Sequence, residues 1–344
     1  MMSQWRSFLI DSGAELEHGR VASFGNPQCE LSIVTTGNVL CDLSHRGLIG
    51  ARGEDAVDFL QNQLSSDVRE ISETHSQLSS YCSPRGRMLA SLRLFRRGDT
   101  YYLSLPAEIL QATLKRVRMF VLRAKVILED QSLDLVRCGY SGTDAEQELK
   151  QAFGACPTGV DDALQTGELT VLRIPGPHPR FEIHGPAAAV TKLWDRLNVR
   201  AAPVGAAPWA LLDILSGLPN IYPATADRFV PQMANLQLIG GVSFSKGCYP
   251  GQEVVARMHY LGNLKRRMYR ISAATDTVPQ PGDSVFAADK DTKEPSGAIV
   301  EAQPHPDGGV AALAVLRIDD AEQHQLRLWD ADGAPVKLET LPYV

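Results

Sequence analysis

The sequence lacks several things, and each absence narrows what it can be. No apolar run reaches the roughly 18 residues of a membrane span, so no membrane partner is expected and the chain reads as cytoplasmic. The opening residues, MMSQWRSFLIDSGAELEHGR, are too acidic and too short in apolar length for a signal or transit peptide. None of the six cysteines (Cys29, Cys41, Cys82, Cys138, Cys156 and Cys248) belongs to a C-x-x-C, and none pairs with a histidine at zinc-like spacing. A metal cluster held by this chain alone is therefore not expected, and every thiol except Cys248 reads as reduced and mostly buried. Basic charge is not in excess: 34 Lys and Arg stand against 40 Asp and Glu, a net charge of -6. That argues against a general nucleic-acid coat and leaves room for a local basic face. No internal repeat or low-complexity tract occurs.

What is present is 344 residues of ordinary globular composition, enough for two or three domains. CDLSHRGLIGARG reads as strand and turn, and GEDAVDFLQNQLSSDV as a helix with Ala56, Val57, Leu60 and Leu64 on one face. SQLSSYCSPRGRMLASLRLFRRGDTYYLSL predicts two strand segments joined at RRGD. Pro106 opens a helix whose apolar face carries Ile109, Leu110, Leu114, Val117 and Val121. A polar, acidic stretch spans 141–168. GELTVLRI and RFEIHGP read as strands, Pro186 opens a further helix, and APWALLDILSGLPNI is a helix stopped by Gly217 and Pro219. After about residue 265, short β-like runs alternate with Pro, Gly and Asp turns, the pattern of a small all-β barrel or sandwich. The whole is α+β, helices packed on mostly antiparallel sheets.

The densest chemistry lies in KGCYPGQE, residues 246–253. Pro250-Gly251 is a turn signal. The following QEVVARMHYL has helical spacing at Val254, Val255, Met258 and Leu261. Lys246, Cys248 and Tyr249 are thus expected just before a helix N-terminus, where the backbone field and a nearby ammonium would lower a thiol pKa.

With its upstream FVPQMANLQLIGGVSFS, this segment resembles the K-G-C-Y-x-G-Q-E signature of the YgfZ family, folate-binding relatives of the glycine-cleavage T-protein. DLSHRGLIGARGEDAVDFLQNQLSSDV resembles the shared start of both groups, and SGAIVEA with VAALAVL their C-terminal barrel. The resemblance implies a three-domain ring around a central folate hole. Residues 1–265 would form the folate-binding region, in two α+β subdomains with the second near 130–205, and 266–344 the barrel. It further implies tetrahydrofolate or a derivative as ligand, and a role supporting iron–sulfur enzymes or assembly factors and tRNA thiomethylation. At the positions of the T-protein's paired aspartates this chain has Ala90 and Ser91, and neither can act as a carboxylate acid or base. An accessory folate binder without classical turnover is therefore expected. The alternatives are a folate-dependent aminomethyl transferase and a direct RNA-binding module.

Within that resemblance, Lys246, Cys248, Tyr249, Gln252, Glu253 and Arg257 would wall the folate site, with Cys248 the one candidate catalytic atom. Glu182 is the candidate pterin anchor, because a carboxylate accepts two adjacent N–H donors at once. Asp42 and His45 would line the same hole. The stretches RGRMLASLRLFRR, KRVRMFVLRAK and RMHYLGNLKRRMYR concentrate arginine and lysine, the last with Tyr260 and Tyr269 interleaved, and would serve a tRNA contact.

Overall fold

The computed structural model describes residues 2–288 and 294–344. Most predicted elements begin and end where local chemistry dictates. Pro106 and Pro186 stand at the N-caps of helices Ala107–Arg118 and Ala187–Leu197, where a missing N–H costs no helical hydrogen bond. Ile109, Leu110, Leu114 and Val117 are buried along the first of these, while Val121 lies beyond its end. Helix Ala206–Leu215 stops before Gly217, which adopts φ +69°.

The segment from 77 to 106 departs from the reading. It forms three strands, Gln77–Cys82, Met88–Arg97 and Thr100–Pro106. Besides the expected hairpin at RRGD, the chain turns at Ser83-Pro84-Arg85-Gly86, with Gly86 at φ +71°. Four helices were not anticipated: the short Pro27–Ile33 and Ile318–Gln323, and two longer ones. Ser3–Asp11 buries only Trp5 and Leu9, and Ala145–Phe153 only Ala145, Glu148 and Leu149. Stripes that thin leave little periodic signal in a polar stretch.

The chain divides into two compact units that interleave along the sequence: Met1–Val57, Arg69–Gln77 and Arg93–Leu212 in one, Asp58–Val68, Leu78–Leu92 and Asp213–Val344 in the other. The first unit holds a six-stranded sheet in the order Ala163–Thr166, Leu169–Ile174, Arg180–Gly185, Val136–Ser141, Val39–Asp42, Ala202–Val204. The last pair is parallel and the others are antiparallel. Trp5, Leu9, Tyr140, Phe181 and Trp194 are among its core. Trp5 meets Trp194 edge-on at 5.4 Å, the geometry ring quadrupoles favour.

The second unit holds a closed six-stranded barrel, whose strands run from Arg266–Ala273 to Pro335–Glu339. Ile271, Val285, Ile299, Leu316 and Leu328 fill its core. The first unit also holds strands Arg46–Arg52, Thr100–Pro106 and Ile127–Asp130, with Arg46–Arg52 paired antiparallel to each of the other two. Among the described residues, no helix is long and apolar enough to cross a membrane.

Candidate functional site

The KGCYPGQE segment is held by its own polar side chains. Lys246 is buried, and its Nζ donates to the carbonyls of Gln61 (2.6 Å), Leu64 (2.6 Å) and Ser66 (2.8 Å). Those bonds engage all three ammonium donors and pin the chain that leaves helix Ala56–Gln61. The cation also lies 5.3 Å from the centroid of the buried Tyr249 ring, and burial raises the Tyr249 phenol well above its usual pKa. Gln252 Nε2 donates back to the Lys246 carbonyl at 3.3 Å.

Gly251 caps helix Gln252–Tyr260 at φ +78°. A Cβ there would come within 2.4 Å of the Gly86 Cα and 2.5 Å of the Ser83 carbonyl. The Ser83–Gly86 turn and the helix start thus touch backbone to backbone, which only glycine permits. Three residues of this segment and its helix stay outside the lattice: Cys248, Glu253 and Arg257 are exposed. The helix itself sits differently from its periodicity. Only Val255 is buried, while Val254 is 39% and Leu261 84% exposed. The Gln232 side chain donates to the Val255 carbonyl at 2.6 Å and anchors the helix from one face.

Ala90 and Ser91 are both buried on strand Met88–Arg97. Ser91 Oγ donates to the Pro219 carbonyl (2.8 Å) and accepts from the Ile221 N–H (3.2 Å). Its hydroxyl therefore ties the strand to the Asn220 loop.

In the other unit, Glu182 lies in strand Arg180–Gly185, paired across to Gly139 and Leu172. It is 5% exposed, and its Oε2 has no hydrogen-bond partner among the described residues. His184, two residues on and therefore on the same face, places Nε2 at 3.5 Å from that oxygen. Burial opposes ionisation of Glu182. The His184 contact and the charges of Arg46 and Arg93 outweigh it and hold the carboxyl at about 2. Burial pushes the His184 imidazole down from its ordinary value, more than Glu182 pulls it up, so it is neutral near pH 7. The ring packs on Phe95 at 4.3 Å between centroids. Arg93 is itself buried and paired with Asp161. The site is thus a buried, ionised carboxylate whose charge is supported by arginines and which keeps an acceptor oxygen in hand. A group offering adjacent N–H donors, as a reduced pterin does, fits that acceptor set.

Asp42 is fully buried, and its Oδ1 accepts from Trp5 Nε1 and Ser44 Oγ, each at 2.7 Å, while Oδ2 accepts from the Ser44 N–H at 3.2 Å. Burial raises its pKa, and the Trp5 and Ser44 bonds only partly offset this. These contacts join the N-terminal helix to the sheet and shape the turn toward His45. The structure therefore brings Lys246, Tyr249 and Gln252 together as one bonded group, with Cys248, Glu253 and Arg257 at its surface, and sets Glu182 beside His184 and the arginines. His184 and Arg46 were not singled out from the sequence, and Arg93 was read as part of a basic stretch for tRNA contact, whereas it is buried and paired with Asp161. The alternation in Glu182-Ile183-His184 was the available signal for the first of them, because period two places both polar side chains on one strand face.

No family model matches the chain. A curated protein of Edwardsiella ictaluri named tRNA-modifying protein YgfZ is 33% identical over 86% of this chain and 89% of its own length. That of Serratia proteamaculans, of the same name, is 31% identical over 88% and 92%. Among solved structures, the glycine cleavage system aminomethyltransferase T of Bartonella henselae superposes with a TM-score of 0.82, covering 100% of this chain and 98% of that one at 18% identity. The fold is that of the aminomethyltransferase. By sequence, the chain belongs to the YgfZ family, whose curated members are named tRNA-modifying proteins.

Proposed function

We propose that this chain is a tetrahydrofolate-binding accessory protein in tRNA modification, acting in support of iron–sulfur enzymes and without aminomethyl transfer of the T-protein kind. The observation that carries the binding half is Glu182: a buried carboxylate, ionised at neutral pH, with an oxygen whose nearest described donor, His184 Nε2, stands as far off as 3.5 Å. A buried acceptor left alone costs about 1–3 kcal/mol, and a ligand N–H pair would recover it. Glu182 would hold the pterin edge, with His184 limiting its side-chain freedom and Arg46 and Arg93 keeping it charged. Tetrahydrofolate would bring one-carbon chemistry at its ring nitrogens. The chain's own contribution is to bind and orient the pterin.

The non-catalytic half is supported by Ala90 and Ser91. No carboxylate stands at either position, and the Ser91 hydroxyl is engaged with Pro219 and Ile221. Cys29, expected to be buried, is exposed as Cys248 is; Cys248 is the exposed thiol that lies in the signature segment and outside its bonded core. Thermal unfolding with increasing tetrahydrofolate, run beside an assay for methylene-tetrahydrofolate from an aminomethyl donor, tests both halves. The midpoint rises with ligand, as it must when only the native state binds, and no product forms. An unmoved midpoint at millimolar ligand removes the binding claim, and steady turnover removes the accessory claim.

A further inference from the structure

Helix Gln252–Tyr260 presents its apolar and aromatic side chains outward. Val254 is 39% exposed, Tyr260 66% and Leu261 84%. The ring of His259 stacks on Phe244 with centroids 3.7 Å apart and planes 12° apart, and Tyr260 meets both edge-on at 4.8 and 6.4 Å. The three rings form a contiguous aromatic platform beside an exposed leucine. Such a patch is unusual on a solvated helix and marks a contact surface.

The charge around it points to the occupant. From Lys246 to Ser272 there are six basic residues, Lys246, Arg257, Lys265, Arg266, Arg267 and Arg270, and one acidic residue, Glu253, in a chain whose net charge is -6. Lys246 is buried among carbonyls, but Arg257 and Lys265 are exposed and Arg266 and Arg267 half-buried. Arg257 lies one turn before Tyr260, and Lys265 follows within five residues. An apolar helix face meant for another protein's core needs no such cationic run. Exposed aromatic residues close in the chain to arginine and lysine match unpaired bases on a phosphate backbone, since every base can stack and every phosphate carries charge.

We propose that this face, built from Phe244, His259, Tyr260 and Leu261, with Arg257 on the same helix and Lys265 and Arg267 next along the chain, binds an unpaired segment of RNA. The aromatic rings take bases, and the cations take the adjoining phosphates. The proposal rests on the tRNA-modification reading for the choice of RNA over DNA, while the preference for a single strand over a duplex follows from the platform itself. A duplex keeps its bases stacked and would meet only the cations.

Fluorescence anisotropy of ligand-free protein tests this with a 5′-labelled single-stranded oligoribonucleotide of about twelve nucleotides and with the matching blunt duplex. The single strand binds more tightly. Its log Kd plotted against log salt has a slope of about 2, as expected for three neutralised phosphates. Tyr260→Ser weakens single-strand binding roughly five- to fifty-fold, Lys265→Ala lowers the salt slope, and neither exposed substitution shifts the thermal midpoint. Equal affinity for strand and duplex, parental affinity in Tyr260→Ser, or no binding at low salt would each overturn the proposal; the last, with a stable complex to a protein partner instead, would reassign the face to protein contact. Folate binding, measured separately by thermal shift, fails or holds independently of every one of these outcomes.

Discussion

Two regions invite comparison, because the sequence advertises one and conceals the other. KGCYPGQE packs an ammonium, a thiol, a phenol, a carboxamide and a carboxylate into eight residues, yet its ammonium and carboxamide are both taken up by carbonyls of the chain itself. Lys246 bonds three carbonyls, Gln252 returns to Lys246, and Gly251 lies on Gly86. Strand Arg180–Gly185 reads as an ordinary half-polar strand, yet it holds a buried ionised glutamate with an acceptor oxygen met only by a long 3.5 Å contact from His184. A dense polar motif and a binding group are therefore different things. The motif's ammonium holds the backbone of residues 61–66. In the proposed function, a single buried carboxylate with surplus capacity is the group that a ligand would meet.

That contrast breaks or sharpens under mutation. The largest expected effect is structural and falls in the motif. Lys246→Met leaves the buried carbonyls of Gln61, Leu64 and Ser66 without their donor, and urea unfolding should show a loss on the order of 3–5 kcal/mol. Next is Gly251→Ala. Its positive φ and the approach to the Gly86 backbone predict a loss of about 2–3 kcal/mol in the same measurement. Near-parental stability in either variant would mean that the segment is not the lattice described.

A smaller effect belongs to the concealed region and appears only in acid. The His184 pKa is depressed in the folded state from its ordinary 6.5. As pH falls below that value the unfolded imidazole takes up a proton that the folded one refuses, so stability declines by at most about 1.4 kcal/mol per pH unit. Glu182 acts in the same direction lower down. Its folded pKa is also depressed, so its contribution is fully present above 4.5 and is lost as pH falls toward about 2. His184→Asn should flatten the stability profile just below pH 6.5, read from urea midpoints, and also shrink the lower limb, because the His184 contact helps to hold Glu182 ionised. An unchanged upper limb would show that other groups set it.

The smallest stability effect is predicted for Cys248→Ser, within about 0.5 kcal/mol of the parent, because the thiol is exposed and outside the internal bonds. Its effect on function should be the opposite, with failure to complement a deletion strain. Full complementation would leave the exposed thiol without a role.

How much of this was legible in the sequence follows from what each feature rests on. The barrel, the strand pairs and the proline-initiated helices are local, and the periodicity and turn residues disclosed them. The loss of carboxylates at Ala90 and Ser91 was legible through the resemblance, but the engagement of Ser91 with Pro219 and Ile221 joins positions about 130 apart in the chain. Lys246 read as a ligand-facing cation beside a thiol. Its three carbonyl partners lie some 180 residues earlier, and no local pattern announces them. Helix Gln252–Tyr260 misled in the other direction, since its apolar spacing suggested a buried face and the chain exposes it. Glu182 was legible as a candidate. Its ionisation was not, because that depends on His184, Arg46 and Arg93 converging on one strand face.

The most direct test of the contrast is a calorimetric titration of tetrahydrofolate into the parent and into Glu182→Gln side by side. Loss of a charge-assisted acceptor should weaken binding about ten- to a hundred-fold, with Cys248→Ser binding as the parent does. Equal affinity in the parent and Glu182→Gln would contradict the claim that the concealed carboxylate, and not the conspicuous motif, anchors the ligand.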